Sequence, residues 1–363
     1  MKILIITNHS YMLYQFRREL ICELMKENEV VLSMPFVGHE GDFMKMGLRC
    51  IDTSLERRST NPITDLKLFI SYLQILRQEK PDMVITYSIK PNVYGGIACQ
   101  IKRIPYYVNV QGLGTAFQKK RLARIVTIMY RMALNKAETV FFENEENADL
   151  FRRKHIVSPE KIVALKGAGI NLEHYEYVPY PQSDCIRFLF VGRIMKEKGV
   201  DELFYAARRL KKEFKDRFAL DIVGFFEDAY KEEVNQLQQE GVITFHGFQK
   251  EVRPYYGSCS CVVLPSYHEG MSNVLLEGAA VGRPLITSDI PGCREAVEDG
   301  RNGFLCEVKS GESLYRAMKK FLEIPYLHRE EMGRLGRARM QEQFDKKVIV
   351  DRTVGKIMNS GEK

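Results

Sequence analysis

The sequence has no stretch approaching the roughly 20 consecutive apolar residues that a membrane-crossing helix needs. Its start, MKILIITNHS, holds an apolar run of only four residues before Thr7, with no cleavage site behind it, so a secretory leader is not expected. No two of the eight cysteines have C-x-x-C spacing. The nearest pair, Cys259 and Cys261, opens an apolar run in which thiols pack as small hydrophobes. Free thiols in this number suggest a reducing, cytoplasmic compartment. There is no D-x-D, and no His/Cys/Asp/Glu set has metal-ligand spacing, so neither a metal nor another cofactor is expected. The turns GLGTAF and GAGINL both lack the third glycine of G-x-G-x-x-G, which argues against a dehydrogenase. No repeat, low-complexity tract or nucleic-acid-binding motif is found, so a nucleic-acid partner is not expected.

The chain has 363 residues, 45% hydrophobic and 28% charged, enough for two ordinary domains. Short β-rich runs at 2–7 (KILIIT), 29–34, 47–52, 82–87, 106–110, 139–143 and 161–165 alternate with helical spacing, as in a doubly wound parallel sheet. The pattern breaks at 175–184 (YEYVPYPQSD) and restarts with strands at 186–191, 218–223, 242–246, 261–265 and 284–287. The expected organisation is an N-terminal α/β domain over 1–178 and a C-terminal one over 184–340, facing a central cleft. A final helix, 341–363, would cross back to the first domain. Net charge is +7, of which +6 falls in residues 1–180. Between Ile101 and Ala137 stand eight basic residues and no acid, a site for an anionic partner.

Ligands of such sheets bind outside the carboxyl ends of the strands. Two of those loops carry chemistry. The first, GRIMKEKG at 192–199, offers Arg193 and Lys198, a planar fork and a compact charge suited to phosphate oxygens; alone, it reads more readily as a solvated charged loop, and its place in the same cleft as the helix start at Ser272 reverses that. The second is SYHEGMSNVLLEGAAVG at 266–282, a strand-to-helix turn with Glu269 in the loop and Glu277 on the helix, one turn beyond Asn273. Backbone N–H groups at such a helix start can hold an anion; the same residues also fit a Ser272 cap followed by a first-turn acid. Cations, helix start and two carboxylates together suit a nucleotide diphosphate carrying a sugar.

The pieces GRIMKEKG, FHGFQKEV, SYHEGMSNVLLEGAAVGRPLITSDIPGCREAV and DGRNGFL, in this order, resemble retaining glycosyltransferases of family 4, which have the GT-B fold of two Rossmann-like domains. The N-terminal pieces YSIKPNVYGG, NVQGLGTAF and FFENEENADLF are similar to the subgroup that extends lipid-linked saccharides for bacterial capsule, O-antigen or glycan assembly. The resemblance implies a UDP-sugar donor, a polyprenyl-diphosphate-linked saccharide acceptor and retention without a metal. It implies that Arg193 and Lys198 bind the diphosphate, Glu269 contacts the donor sugar and Glu277 holds the ribose. Gly192, Gly270, Met271, Ser272 and Asn273 would meet phosphate and sugar, and Phe248 would border the base.

Many relatives place a histidine of the first domain against the donor sugar, yet none occurs here between His39 and His155. His9 lies in a strand-end loop and reads either as a cleft residue or as a helix cap. Asn8, Tyr87, Lys90, Asn92 and Gln111 are further strand-end candidates for acceptor contacts. Lys119, Lys120, Arg121 and Arg124 form the basic edge of a helix over 121–135, expected to meet the inner face of the membrane as a peripheral contact. A sugar-nucleotide epimerase and a non-catalytic nucleotide-sugar-binding protein are the competing readings.

Overall fold

The computed structural model describes residues 1–53, 61–112 and 120–359, with the side chains of 120–122 left aside. The chain divides into two compact bodies, Met1–Ala168 with Lys347–Lys363, and Gly169–Lys346. The first boundary falls ahead of the expected linker. There Ile170 pairs with Asp345, its N–H donating to Phe344 O and its carbonyl accepting from Lys346 N.

The first body is one parallel sheet of β1 (Lys2–Ile6), β2 (Glu29–Met34), β3 (Arg49–Asp52), β4 (Met83–Tyr87), β5 (Tyr106–Val110), β6 (Thr139–Phe142) and β7 (Ile162–Ala164), in the order β3-β2-β1-β4-β5-β6-β7. Alternate side chains point to opposite faces, so each strand feeds two cores. Leu4 and Ile6 pack under α3 (Pro62–Glu79), α4 (Gly96–Lys102), α5 (Lys120–Leu134) and α6 (Glu145–Arg153). Ile3 and Ile5 pack under α1 (Ser10–Met25), α2 (Glu40–Lys45) and the C-terminal helix Lys346–Met358, whose Ile349, Val350 and Ile357 join that core. Tyr107 Oη donates to Ile357 O at 2.9 Å. Helix starts are set locally: Asn61 accepts from Ile63 N ahead of Pro62, and Asn144 accepts from Asn147 N.

The second body repeats the plan with β8 (Ile186–Val191), β9 (Phe218–Val223), β10 (Thr244–Phe245), β11 (Cys261–Leu264), β12 (Leu285–Ser288) and β13 (Gly303–Cys306), all parallel, ordered β10-β9-β8-β11-β12-β13. Its helices are α7 (Val200–Phe214), α8 (Lys231–Gln239), α9 (Arg253–Ser258), α10 (Asn273–Ala280), α11 (Gly311–Glu323) and α12 (Tyr326–Gln343), which makes the C-terminal helix α13. The short α9 and the edge strand β13 are not foreshadowed by the sequence pattern. In both sheets the order reverses beside the first strand, at β1/β4 and at β8/β11. Those are the topological switch points where ligands of open α/β sheets bind.

Candidate active site

The β8/β11 switch point gathers the two loops singled out from the sequence. Lys198 comes from the loop after β8 and Glu269 from the loop after β11, and Lys198 Nζ lies 2.5 Å from Glu269 Oε1. Backbone contacts enforce that meeting. Tyr267 N–H donates to Glu197 O at 2.9 Å. Gly199, at φ +73°, lies so close that a Cβ there would stand 2.0 Å from Pro265 O. Tyr267 Oη reaches both carboxylate oxygens of Glu202 on α7 at 2.9 Å, which pins the second loop to the first helix of this body.

Glu269 is held from a second side. Buried Ser266 donates its hydroxyl to the same Oε1 at 2.8 Å. Both bonds use one oxygen and leave Oε2 available to a substrate hydroxyl. The turn after β12 supports this loop: Ser272 N–H donates to Gly292 O at 2.8 Å, and Gly292 (φ +81°) would put a Cβ 2.5 Å from Gly270 O. Ser266 and Gly292 are therefore supports that the motif reading passed over.

Ser272 stands at the N-cap of α10, but its side chain makes no capping bond. This corrects the alternative reading of Ser272 as a plain helix cap and leaves first-turn N–H groups without that partner. Met271 is buried in the core of this body, so only its backbone can meet a ligand. Asn273 opens α10 and is partly exposed. Arg193 is half-exposed, its Nη1 3.6 Å from Glu227 Oε1. Gly192 donates its N–H to Val223 O at 2.9 Å, which places Arg193 at the sheet end. Phe248 is half-exposed and meets Phe225 edge to face, ring centroids 6.2 Å apart.

Glu277 is 7% exposed and accepts a hydrogen bond from Tyr256 Oη at 2.8 Å, with Tyr175 packed beside that tyrosine edge to face. Burial pushes its carboxyl up to about 7, while the nearby tyrosines and Lys346 pull the other way. Tyr256 belongs to α9, which Arg283 holds in place. The fully buried Arg283 guanidinium donates to the carbonyls of Tyr256 and Gly257, each at 2.8 Å, and to those of Val178 and Pro179. Tyr256 has no motif signal, because it reaches Glu277 only through the fold; Arg283 stands inside the piece at 266–297, but its carbonyl partners come from distant segments.

At the β1/β4 switch point of the other body, Ser88 is the hub. Its hydroxyl donates to Asn8 Oδ1 at 2.7 Å and meets Gln111 Oε1 at 3.4 Å. Ser88 has φ +77°, a left-handed conformation uncommon for a side-chain-bearing residue and frequent at functional turns. Asn8 and Gln111 are thus brought together, joined by a serine the sequence reading left out. His9 is the N-cap of α1, its Nδ1 accepting from Met12 N at 3.4 Å, so its capping alternative is the one observed. Two acceptor-side expectations, Tyr87 and Asn92, are corrected by their burial. Tyr87 is fully buried under the Arg17 guanidinium. Asn92 is fully buried and donates to Asn109 O at 2.9 Å. Lys90 pairs with Asp65 at 2.8 Å. Tyr87 and Asn92 are committed to the body's own packing, whereas Lys90 stays partly exposed beside Asp65.

On α5, Arg124 is exposed beside a solvent-facing stripe of Ile125, Ile128 and Met132, while Val126, Tyr130, Ala133 and Leu134 face the core. Lys119 lies outside the described residues, as do the side chains of Lys120 and Arg121. Among the described residues no helix is long and apolar enough to cross a membrane.

Residues 2–144 match the family described as glycosyl transferase 4-like, and residues 181–339 the one described as glycosyl transferases group 1. Among curated proteins, the chain is 26% identical to N,N'-diacetylbacillosaminyl-diphospho-undecaprenol alpha-1,3-N-acetylgalactosaminyltransferase of Campylobacter jejuni, over 97% of each chain. It is 24% identical to UDP-Gal:alpha-D-GlcNAc-diphosphoundecaprenol alpha-1,3-galactosyltransferase of Escherichia coli, over 76% of each. Among solved structures it resembles Anabaena Alr3699/HepE in complex with UDP and glucose, with TM-score 0.80 and 17% identity, covering 99% of this chain and 100% of that one. Two matching domain families, two parallel α/β sheets and the loops built on their switch points agree: the chain is an enzyme of the GT-B fold and belongs to glycosyltransferase family 4.

Proposed function

We propose that the chain transfers a hexose or N-acetylhexosamine from a UDP-sugar to a polyprenyl-diphosphate-linked saccharide, with retention and without a metal ion. It would act in the cytoplasm at the inner face of the membrane, in bacterial surface-polysaccharide or glycan assembly. The observation that carries this is the Lys198–Glu269 pair at the β8/β11 switch point, with Arg193 half-exposed in the same loop. In the proposed step the bond between the sugar's anomeric carbon and the diphosphate oxygen breaks. Its electron pair goes to the diphosphate, where Arg193, Lys198 and the first N–H groups of α10 meet the growing charge. The acceptor hydroxyl attacks from the face the diphosphate leaves, and a diphosphate oxygen takes its proton. Glu269 Oε2 binds a hydroxyl of the transferred sugar, Glu277 accepts from the ribose, and Phe248 borders the base. Asn8, Ser88 and Gln111 contribute to acceptor recognition.

A lipid-linked acceptor is supported by what the Campylobacter and Escherichia relatives are named for, and a UDP donor by the UDP in the HepE complex. The exposed apolar stripe of α5 beside Arg124 supports peripheral membrane contact. The test is UDP release from a panel of UDP-sugars, with and without undecaprenyl-diphosphate-linked acceptor and with EDTA. Acceptor-dependent release that survives EDTA is expected. Release from none of the donors would overturn the reading, and an inverted anomer by NMR would overturn retention.

A further inference from the structure

A second candidate site lies at the other end of the β8 sheet. A cavity of about 850 Å³ is lined by Gln182, Ser183, Asp184, Arg217, Tyr326 and Arg329, with Ile186 at its base. Ile186 is the first residue of β8, and Arg217 immediately precedes β9. The cavity therefore opens at the amino ends of these strands, whereas Arg193 and Lys198 stand at the carboxyl end of β8. Six residues of strand, roughly 20 Å, separate the two.

Arg329 is the reason to look there. It is 7% exposed, its Nε is buried without a hydrogen-bond partner, and its guanidinium forms no ion pair among the described residues. A largely buried guanidinium with no carboxylate or carbonyl partner has to find its acceptors in the cavity it faces. The other buried arginine of this body, Arg283, has four backbone carbonyls for that purpose. Arg329 has none, and it faces a cavity. Arg217 lines the same cavity, exposed and without an ion pair among the described residues. Arg329 and Tyr326 also lie in the first turn of the 18-residue α12, whose N-cap, Pro325, has no side chain to offer its N–H groups. Two guanidinium forks and an uncapped helix start outweigh the single carboxylate of Asp184 and suit tetrahedral oxyanions.

We propose that this cavity binds a small phosphate monoester or inorganic phosphate, independently of the donor site. Arg329 and Arg217 grip the phosphate oxygens, and Gln182 and Ser183 bond the remainder of the ligand, for which the volume leaves room.

The test titrates inorganic phosphate into the full-length protein at constant ionic strength, followed by calorimetry and thermal shift, with acetate as the carboxylate arm. Saturable binding of phosphate at millimolar concentrations, tighter than acetate, is expected. Arg217→Gln, a surface change that leaves the fold intact, weakens it at least about tenfold, the loss of one charge-assisted contact. Arg329→Lys, which keeps the charge but not the fork, weakens it as well, and UDP affinity stays unchanged in Arg217→Gln. Absence of saturable phosphate binding would overturn the proposal. So would binding undiminished in Arg217→Gln, which would place the ion at the donor site, or acetate binding as tight as phosphate.

Discussion

Lys198 Nζ lies 2.5 Å from Glu269 Oε1 although 71 residues separate them, because their loops leave neighbouring parallel strands at the point where the strand order reverses. The lysine is thus paired with the carboxylate expected to bind the sugar, and a diphosphate bound as proposed would compete for it.

Removing that cation should be felt mainly in turnover. Lys198→Ala is expected to lower kcat for UDP release by roughly 10²–10³-fold, the usual loss for one group that stabilises developing negative charge. Arg193→Ala should behave similarly, with a smaller change in donor KM. Steady-state kinetics decide this, and unchanged kcat in both variants would move the chemistry elsewhere.

Glu277 is expected to make stability and, as the proposed ribose acceptor, donor binding depend on pH. Its folded carboxyl titrates near 7 against an ordinary 4.5, so between those values the folded state holds the extra proton. The stabilisation is fully present below pH 4.5 and is lost as pH rises through about 7, a change of about 3 kcal/mol. Glu277→Gln should therefore raise Tm relative to wild type at pH 8 and do little at pH 5. With the ionised carboxylate as the proposed ribose acceptor, UDP affinity should tighten in wild type between pH 6 and 8 and be weak and flat in the variant. Calorimetric melts and UDP titrations at the two pH values check both parts.

Gly199 tests the loop geometry. Gly199→Ala combines φ +73° with a Cβ 2.0 Å from Pro265 O. Gly241→Ala meets a similar φ, +67°, with nothing within 4 Å. Both are expected to destabilise by about 1–2 kcal/mol through backbone strain. Only Gly199→Ala should add a further loss and raise donor KM, because it pushes the Lys198 loop away from β11. Urea unfolding with donor kinetics separates the two terms.

The α5 stripe predicts membrane partitioning. Replacing Ile125, Ile128 and Met132 together by Ser should lower flotation with anionic vesicles at least about tenfold, since each buried apolar side chain is worth about 1.5–3 kcal/mol. Soluble-phase UDP binding should not change. Equal flotation with neutral and anionic vesicles would remove Arg124 and its basic neighbours from the account.

Much of this was legible in the sequence because it is local. Strand and helix periods repeat along the chain, and GRIMKEKG and SYHEGMSNVLLEG each place their charged residues a fixed number of steps from a strand end. The acceptor side was less legible. Tyr87, Lys90 and Asn92 sit in one polar strand-end stretch with Ser88, yet Tyr87 and Asn92 turn inward, Lys90 pairs with Asp65, and Ser88, at positive φ, is the one that reaches Asn8 and Gln111.

By itself the sequence determined two doubly wound α/β bodies, the two carboxylates and two cations of the donor loops, and a basic α5. Those follow from backbone periodicity and short-range spacing, which a linear chain carries. Only the tertiary structure decided that Lys198 meets Glu269, that Tyr256 donates to buried Glu277, and that Arg329 is buried facing a cavity without a counter-charge. Burial and pairing depend on which distant segments pack together, and the proton on Glu277 follows from the water that packing excludes.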